Sequence, residues 1–385
     1  MNGAPGLLLR GRVITPAHDI AECSVLVENG RVSWVRPGRI DVAGVELVDR
    51  PGQVITPGFI DLQVNGFAGN DAAAGTDSIS SIAAALPRTG ITAFLPTMIT
   101  AQLDCMANFV TAVDAAGRAV GPGSARILGA HLEGPFLDPR KRGAHDAELM
   151  VEPTEANLDA LLAGGLPVMV TLAPERLGAV AAIRRLVALG VTVSAGHSSA
   201  SLKEAKAGLA AGIGFGTHLF NAMSGLDHHS PGLAAALLDN RDVVIGLIAD
   251  GYHVDPVLLA LAIRLKRPDR VALTTDQTAA AGMPPGRFQL GGRAVLSDGA
   301  TVRLEDGTLA GSVATMDRMV TLVARLDGVG LRAAVQMATS TPATVVGRGR
   351  GLGRIRAGGP ADVTVLDTDG QVQMTVIGGR VAFVR

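Results

Sequence analysis

Cysteine is scarce: Cys23 and Cys105 are the two in 385 residues, and neither sits in a Cys-x-x-Cys pair. This argues against a disulfide framework or a structural zinc knot, and both thiols read as free groups of a reducing compartment. An excess of charge is missing too. Lys+Arg 34 against Asp+Glu 35 leaves a net charge of -1, so no global basic field attracts nucleic acid or a membrane surface, and an anionic ligand must be met by local cations. Apolar runs fall short of a bilayer span, the longest, around 160–173, being broken by Gly164, Gly165 and Pro167. The opening Met-Asn-Gly-Ala-Pro-Gly, with three leucines before Arg10, is too short and polar for a secretory apolar region. A cytoplasmic protein without nucleic-acid or membrane partners is expected.

With 48% hydrophobic residues the chain can bury a large core, and its length suits a barrel with an appended lobe. Short strands read at 7–10, 13–15, 24–28, 31–35 and 46–48, with Asn29-Gly30 marking a hairpin because both residues tolerate positive φ. Similar texture returns at 362–366 and 374–384, joined through Gly378-Gly379, so both termini should build one small β lobe. Between them, eight apolar runs alternate with helical segments: 54–62, 91–97, 127–133, 168–172, 191–197, 213–218, 243–250 and 271–276. Ser201-Leu-Lys-Glu204 opens one helix as a capping box and Gly212 closes it. Eight buried runs joined by helices point to an α/β fold, a (β/α)8 barrel with its site at the C-terminal strand ends. A doubly wound open sheet is the alternative. The polar residues favour the barrel, because Gln63, Asn65, Glu133, His197, His218, Asp250 and Asp276 all fall at or just past the ends of their runs. A closed barrel gathers those ends, whereas an open sheet spreads them along a line. After the eighth run, the glycine-rich segment 286–311 reads as one or two hairpins, and helical spacing resumes at 315–326 and 331–338.

Glu133 ends a buried run and is followed at once by Gly134-Pro135, so it can neither continue into a helix nor sit in solvent. Read alone, it is as well a structural ion-pair partner, and His197 and His218 are each as well core histidines. Together, one carboxylate and two imidazoles at the mouths of different strands form a ligand set that a divalent metal such as zinc accepts, with room for a water. Asp276 reads either as an N-cap or, near such a metal, as a general base and then acid. His253 and His145 follow strand ends in polar segments, where surface histidines are the plainer alternative. Arg140, Lys141 and Arg142 read equally as a solvated loop. Asn221 lies three residues beyond His218, in reach of a ligand, while His228 and His229 have no strand to fix them.

These residues form a recognisable pattern. Pro57-Gly-Phe-Ile-Asp-Leu-Gln-Val-Asn-Gly66, His131-Leu-Glu-Gly-Pro, Gly196-His-Ser, Thr217-His-Leu-Phe-Asn-Ala-Met, Ala249-Asp-Gly-Tyr-His, Thr275-Asp276 and Leu309-Ala-Gly-Ser312 occur in order. The set resembles the N-acetylglucosamine-6-phosphate deacetylase family of the amidohydrolase superfamily. The resemblance implies a distorted barrel over 54–350 and a small β-sandwich domain from 1–53 and 351–385. It implies Glu133, His197 and His218 as metal ligands, Asp276 as catalytic acid and base, and His145 near the acetamide. Ala144, Asn221, Ala222, His253, Leu309, Ala310 and Gly311 would line the sugar phosphate site. A homodimer or homotetramer is implied as well.

Two departures stand out. Many amidohydrolases carry His-x-His at the end of the first strand, where this chain has Gln63 and Asn65. Neutral amides are weak zinc ligands, so one divalent ion is expected, zinc first and iron or cobalt next. At His229 the family often presents an arginine to the phosphate, and histidine lacks arginine's permanent charge and two-pronged fork. The expected reaction is hydrolysis of the acetamide of N-acetylglucosamine 6-phosphate to glucosamine 6-phosphate and acetate. The alternatives are a deacetylase of another or unphosphorylated N-acetyl amino sugar, or a non-catalytic barrel serving binding or assembly.

Overall fold

The computed structural model describes residues 6–385. Residues 1–5, which fall in the polar opening and in the expected 1–53 domain, lie outside the described part.

The two ends of the chain meet in one seven-stranded sheet. Leu7–Ile14 lies between Glu46–Pro57 and Asp19–Glu28, and Val363–Leu366 joins on the far side of Glu46–Pro57. Strands 7–10 and 13–15 prove to be one strand, bent at a register shift between Gly11 and Val13. Asn29 (φ 51°) and Gly30 (φ 77°) turn the expected hairpin. Alternation brings Leu7, Leu9, Val25, Val27, Val363, Val365, Met374 and Val376 onto one fully apolar core, over which the sheet curls. This is the second, sandwich-like lobe.

The middle of the chain forms eight parallel strands: β1 (Phe59–Val64), β2 (Ile91–Ile99), β3 (His131–Glu133), β4 (Met169–Leu172), β5 (Thr192–Ala195), β6 (Phe215–Gly216), β7 (Val244–Leu247) and β8 (Val271–Leu273). They pair in sequence order from β1 to β8. Closure is irregular, with a Val64–Gln277 bridge and an Asp276 N–H bond to Gln63 O (3.0 Å) standing in for a full ladder between β8 and β1. The first expected run is corrected in detail: 54–57 completes a strand of the terminal sheet, and the barrel begins at Phe59. Apolarity alone could not divide two strands separated by the single residue Gly58. Segment 286–311 forms the three-stranded sheet Gly286–Leu290, Arg293–Ser297 and Val302–Arg303, and helices follow at Met316–Ala324 and Gly330–Ala338.

The interior is layered along the barrel axis. Ile60, Leu62, Leu95, Met169, Phe215 and Ala272 pack at one end with Ala343 of the helix Ser340–Val345. Above them lies a hydrogen-bonded polar layer. His131 bonds to Leu62 O through Nδ1 (3.0 Å) and to Thr171 Oγ1 through Nε2 (2.8 Å), and Thr217 Oγ1 links Thr171 (2.8 Å) to Ser194 (2.5 Å). Burial pushes the His131 imidazole down to about 4, so it stays neutral. On top of that layer, at the C-terminal strand ends, sit Glu133, His197, His218 and Asp276.

Candidate active site

Glu133 ends β3, and His197 and His218 lie two residues beyond β5 and β6. His197 (φ 48°), His218 (φ 30°) and Asp276 (φ 49°) all adopt left-handed backbone, a strained conformation that turns each side chain back over the barrel mouth. The effect is convergence. Glu133 Oε1 lies 2.9 Å from His218 Nε2 and 3.2 Å from His197 Nε2, and the two Nε2 atoms are 3.2 Å apart.

This trio fits a divalent ion on its own chemistry. His197 Nδ1 gives its proton to Lys141 O (2.8 Å), so in the neutral ring Nε2 is a lone pair facing a carboxylate oxygen and a second imidazole nitrogen. Lone pairs so arranged repel unless a proton or a metal cation lies between them. Their 2.9–3.2 Å spacings are near the edge of about 3.3 Å in a tetrahedron with metal–ligand bonds of about 2.0–2.1 Å. Burial opposes ionisation of Glu133, but the side chains of His145, His197 and His218 outweigh it and hold its pKa well below the usual range. Burial likewise opposes charge on His218, and Glu133 reverses the balance. The pocket thus favours positive charge at its centre.

The two amides of β1's end serve as donors. Gln63 Nε2 donates to Glu133 Oε1 (3.1 Å) and Asn65 Nδ2 to Asp276 Oδ1 (2.7 Å). They neutralise the carboxylates by hydrogen bonding where a second cation would do so by charge. With Oδ1 held, Asp276 keeps Oδ2 for a water or substrate, and burial together with the Glu133 charge raises its pKa to about 6. Gly311 lets the 309–311 segment approach, since a Cβ there would lie 2.7 Å from Asp276 O.

His145 is oriented from β2. Its Nδ1 accepts from the Thr100 N–H (3.1 Å), which leaves Nε2 as the protonated nitrogen of the neutral ring, 3.6 Å from Glu133 Oε2. Burial and the nearby His197 lower its pKa to about 4, so it is a neutral donor at physiological pH. His253 is fixed by Asp250 (Nδ1 to Oδ2, 2.6 Å). A cavity of about 320 Å3 joins these groups, lined by Glu133, His145, His197, His218, Asp276, Ala144, Asn221, Ala222, His253, Leu309 and Gly311. Ala310 is fully buried in the wall behind, and His229 lies in the exposed 225–230 loop, outside the cavity of its own chain.

Several contributors went unassigned from sequence. Thr100 stands just past the end of β2, where the strand-end rule that found Glu133 applies equally. Asp250 was noted as a strand-end residue, yet its bond to His253 is a local turn three residues long that composition does not announce. Arg140, Lys141 and Thr308 also line the cavity.

Comparison with known proteins agrees with this architecture. The chain is similar to N-acetylgalactosamine-6-phosphate deacetylase of Escherichia coli O157:H7, with 35% identity over 96% of this chain and 97% of the relative. It is similar to N-acetylglucosamine-6-phosphate deacetylase of Homo sapiens, with 37% identity over 91% of each chain. Among solved structures, a mutant N-acetyl-D-glucosamine-6-phosphate deacetylase of Mycobacterium smegmatis in complex with N-acetyl-D-glucosamine-6-phosphate superposes with a TM-score of 0.93, at 32% identity, covering 99% of this chain and 100% of that one. The enzyme of Pasteurella multocida gives a TM-score of 0.93 at 28% identity with the same coverage. The family description "Amidohydrolase family" matches residues 54–382, which include every group gathered at the barrel mouth, and the chain belongs to that family.

Proposed function

We propose that the protein hydrolyses the acetamide of N-acetylglucosamine 6-phosphate, releasing acetate and glucosamine 6-phosphate. The observation that carries this reading is the convergence of Glu133, His197 and His218 within 3.2 Å of one another beside Asp276, in one cavity. Glu133, His197 and His218 would hold a divalent ion, which would supply Lewis acidity to the site. One ion is proposed, because Gln63 and Asn65 already satisfy the carboxylates beside it, and zinc is the first choice for two imidazoles and a carboxylate.

The protein's own groups do the rest. Asp276 Oδ2 takes a proton from the water as its oxygen bonds to the carbonyl carbon. The oxyanion that develops accepts a hydrogen bond from His145 Nε2–H, which is preset by Thr100 and needs no reorganisation. Asp276 then returns its proton to the sugar nitrogen, the C–N bond breaks, and acetate and the free amine leave. Asn221, His253 and the 309–311 segment hold the sugar. Asp276→Asn should retain its metal and lose turnover by orders of magnitude. Acetate release near the wild-type rate would remove Asp276 from the mechanism.

A second reading, the galactosamine epimer, is favoured by the E. coli relative at 35% identity. Acetate release from both epimers, each with and without phosphate, separates the readings. The homodimer or homotetramer belongs to the same proposal, supported by Tyr252, Val257, Leu261 and Leu265, which expose an apolar face beside His253. Free Cys23 and Cys105 support a reducing compartment such as the cytoplasm. Among the described residues no helix is long and apolar enough to cross a membrane.

A further inference from the structure

Asp276 lies in left-handed backbone (φ 49°), a conformation that persists only where the surroundings over-determine it. One buried carboxylate supplies much of that restraint. Asp61 of β1 is fully buried and faces the residue before Asp276, across the seam where β8 and β1 lack a full ladder. Its Oδ2 accepts from Thr275 Oγ1 (2.5 Å), and its Oδ1 accepts from the N–H groups of Thr275 and Gln63 (3.2 Å each). Thr275 Oγ1 in turn accepts from the Gln277 N–H (3.2 Å). The carboxylate thus grips Asp276 from both flanks, directly at 275 and through the hydroxyl at 277.

The φ and ψ of Asp276 are the rotations between the two peptide planes that flank it. The first plane is held by Asp276 N–H to Gln63 O (3.0 Å) and by Ser312 Oγ to Thr275 O (2.6 Å). The second is held by Ser312 N–H to Asp276 O (2.9 Å) and by Gln277 N–H to Thr275 Oγ1. The Thr275 hydroxyl is the side-chain link between the second plane and β1, and Asp61 sets its direction. Asp61 itself is not among the residues lining the cavity, and no Lys, Arg or His side chain pairs with it among the described residues. Burial pushes its pKa up to about 7, so its charge is costly there and is offset by those three donors alone.

We propose that Asp61, acting through the Thr275 hydroxyl, is the positioning residue that holds Asp276 over the barrel mouth. This rests on the reading above in so far as Asp276 carries the proton during turnover. Proton transfer needs Asp276 Oδ2 within hydrogen-bond reach of the water and in a defined direction. A displacement of about 1 Å costs on the order of 10²-fold in rate. Substrate binding rests on other groups, Asn221, His253 and the 309–311 segment, so the loss falls on kcat and leaves KM nearly unchanged.

The test is acetate release by metal-loaded wild type, Thr275→Val, which removes the hydroxyl at nearly constant shape, and Thr275→Ser, which keeps it. For Thr275→Val we expect kcat to fall about 10- to 100-fold, with KM within about threefold and metal content at the wild-type level. Thr275→Ser should return kcat to within about threefold of wild type. Asp61→Asn should lose kcat as Thr275→Val does, because an amide NH2 cannot accept the Thr275 proton, and this isosteric change carries the same test should the valine variant fail to fold. A kcat within threefold of wild type in Thr275→Val or Asp61→Asn overturns the inference. So does an equal loss in Thr275→Ser, or a loss that tracks metal content, either of which assigns the pair to general scaffolding. Should wild type release no acetate from any phosphorylated or unphosphorylated epimer, the functional reading fails by itself. Hydrogen exchange then decides the inference alone: amides of Asp276 and Gln277 exchanging about tenfold faster in Thr275→Val or Asp61→Asn than in wild type and Thr275→Ser uphold it, and unchanged exchange overturns it.

Discussion

Replacing His145 by asparagine removes one hydrogen-bond donor from the place where negative charge develops. The imidazole is 2% exposed, so no solvent water takes over its role. Its Nδ1 accepts from the Thr100 N–H, a bond that the asparagine carbonyl can inherit, which limits collateral damage to the fold. A preset donor to an oxyanion in a water-poor site is worth about 2.7–4 kcal/mol, so kcat should fall by about 10²–10³ while metal content stays at the wild-type level. The ring's pKa of about 4, set by burial and by His197, adds a second criterion. A donor that is neutral throughout the working range causes the same fractional loss at pH 6 and at pH 8. Steady-state acetate release by metal-loaded wild type and variant at both values measures this. A variant within threefold of wild type with its metal retained would refute the role, and a loss that grows steeply towards acid would show that a charged imidazole acts instead.

Three further outcomes follow from the same geometry. Asp276 must be ionised to accept a proton, and its pKa, raised to about 6 by burial and the Glu133 charge, is pulled down again by any adjacent cation. The acid limb of kcat/KM should therefore lie at or below about pH 6, with activity lost as pH falls through it, and a limb above pH 7 contradicts the assignment. Phe94 is fully buried between β2 and the surrounding helices, so Phe94→Ala should cost about 3–5 kcal/mol in denaturant unfolding; a cost under about 1 kcal/mol would mean that this interface repacks freely. Gln63→His combined with Asn65→His exchanges the two amide donors for imidazole ligands beside Glu133 and Asp276. The double variant should take up a second divalent equivalent, and binding of a single equivalent would show that something other than these amides limits the count.

The barrel was legible because burial on both faces of a parallel sheet writes itself as apolar runs, and a polar residue at the strand end interrupts the run. Glu133, His197, His218 and Asp276 all announced themselves in this way. What the runs did not carry was the bend after each strand. The left-handed backbone at His197, His218 and Asp276 brings the side chains together, and the modest preference of histidine and aspartate for that region does not single out these three positions. Pairings across long separations were equally hidden: Thr100 with His145, Asn65 with Asp276, and Lys141 O with His197. The division at Gly58 was missed because two strands of different sheets adjoin there with uninterrupted burial. Lys141 read as part of a solvated triplet, and the bond from His197 Nδ1–H to its carbonyl holds its backbone at the cavity wall while Arg142 remains exposed.

Metal stoichiometry against turnover bears most directly on all of this. Protein stripped with a chelator and titrated with zinc, with acetate release followed at each addition, should regain its full rate at one equivalent per chain, and Glu133→Gln should neither retain nor regain it. Full turnover by the stripped protein, or a rate that rises only after a second equivalent, would contradict a single cation held by Glu133, His197 and His218.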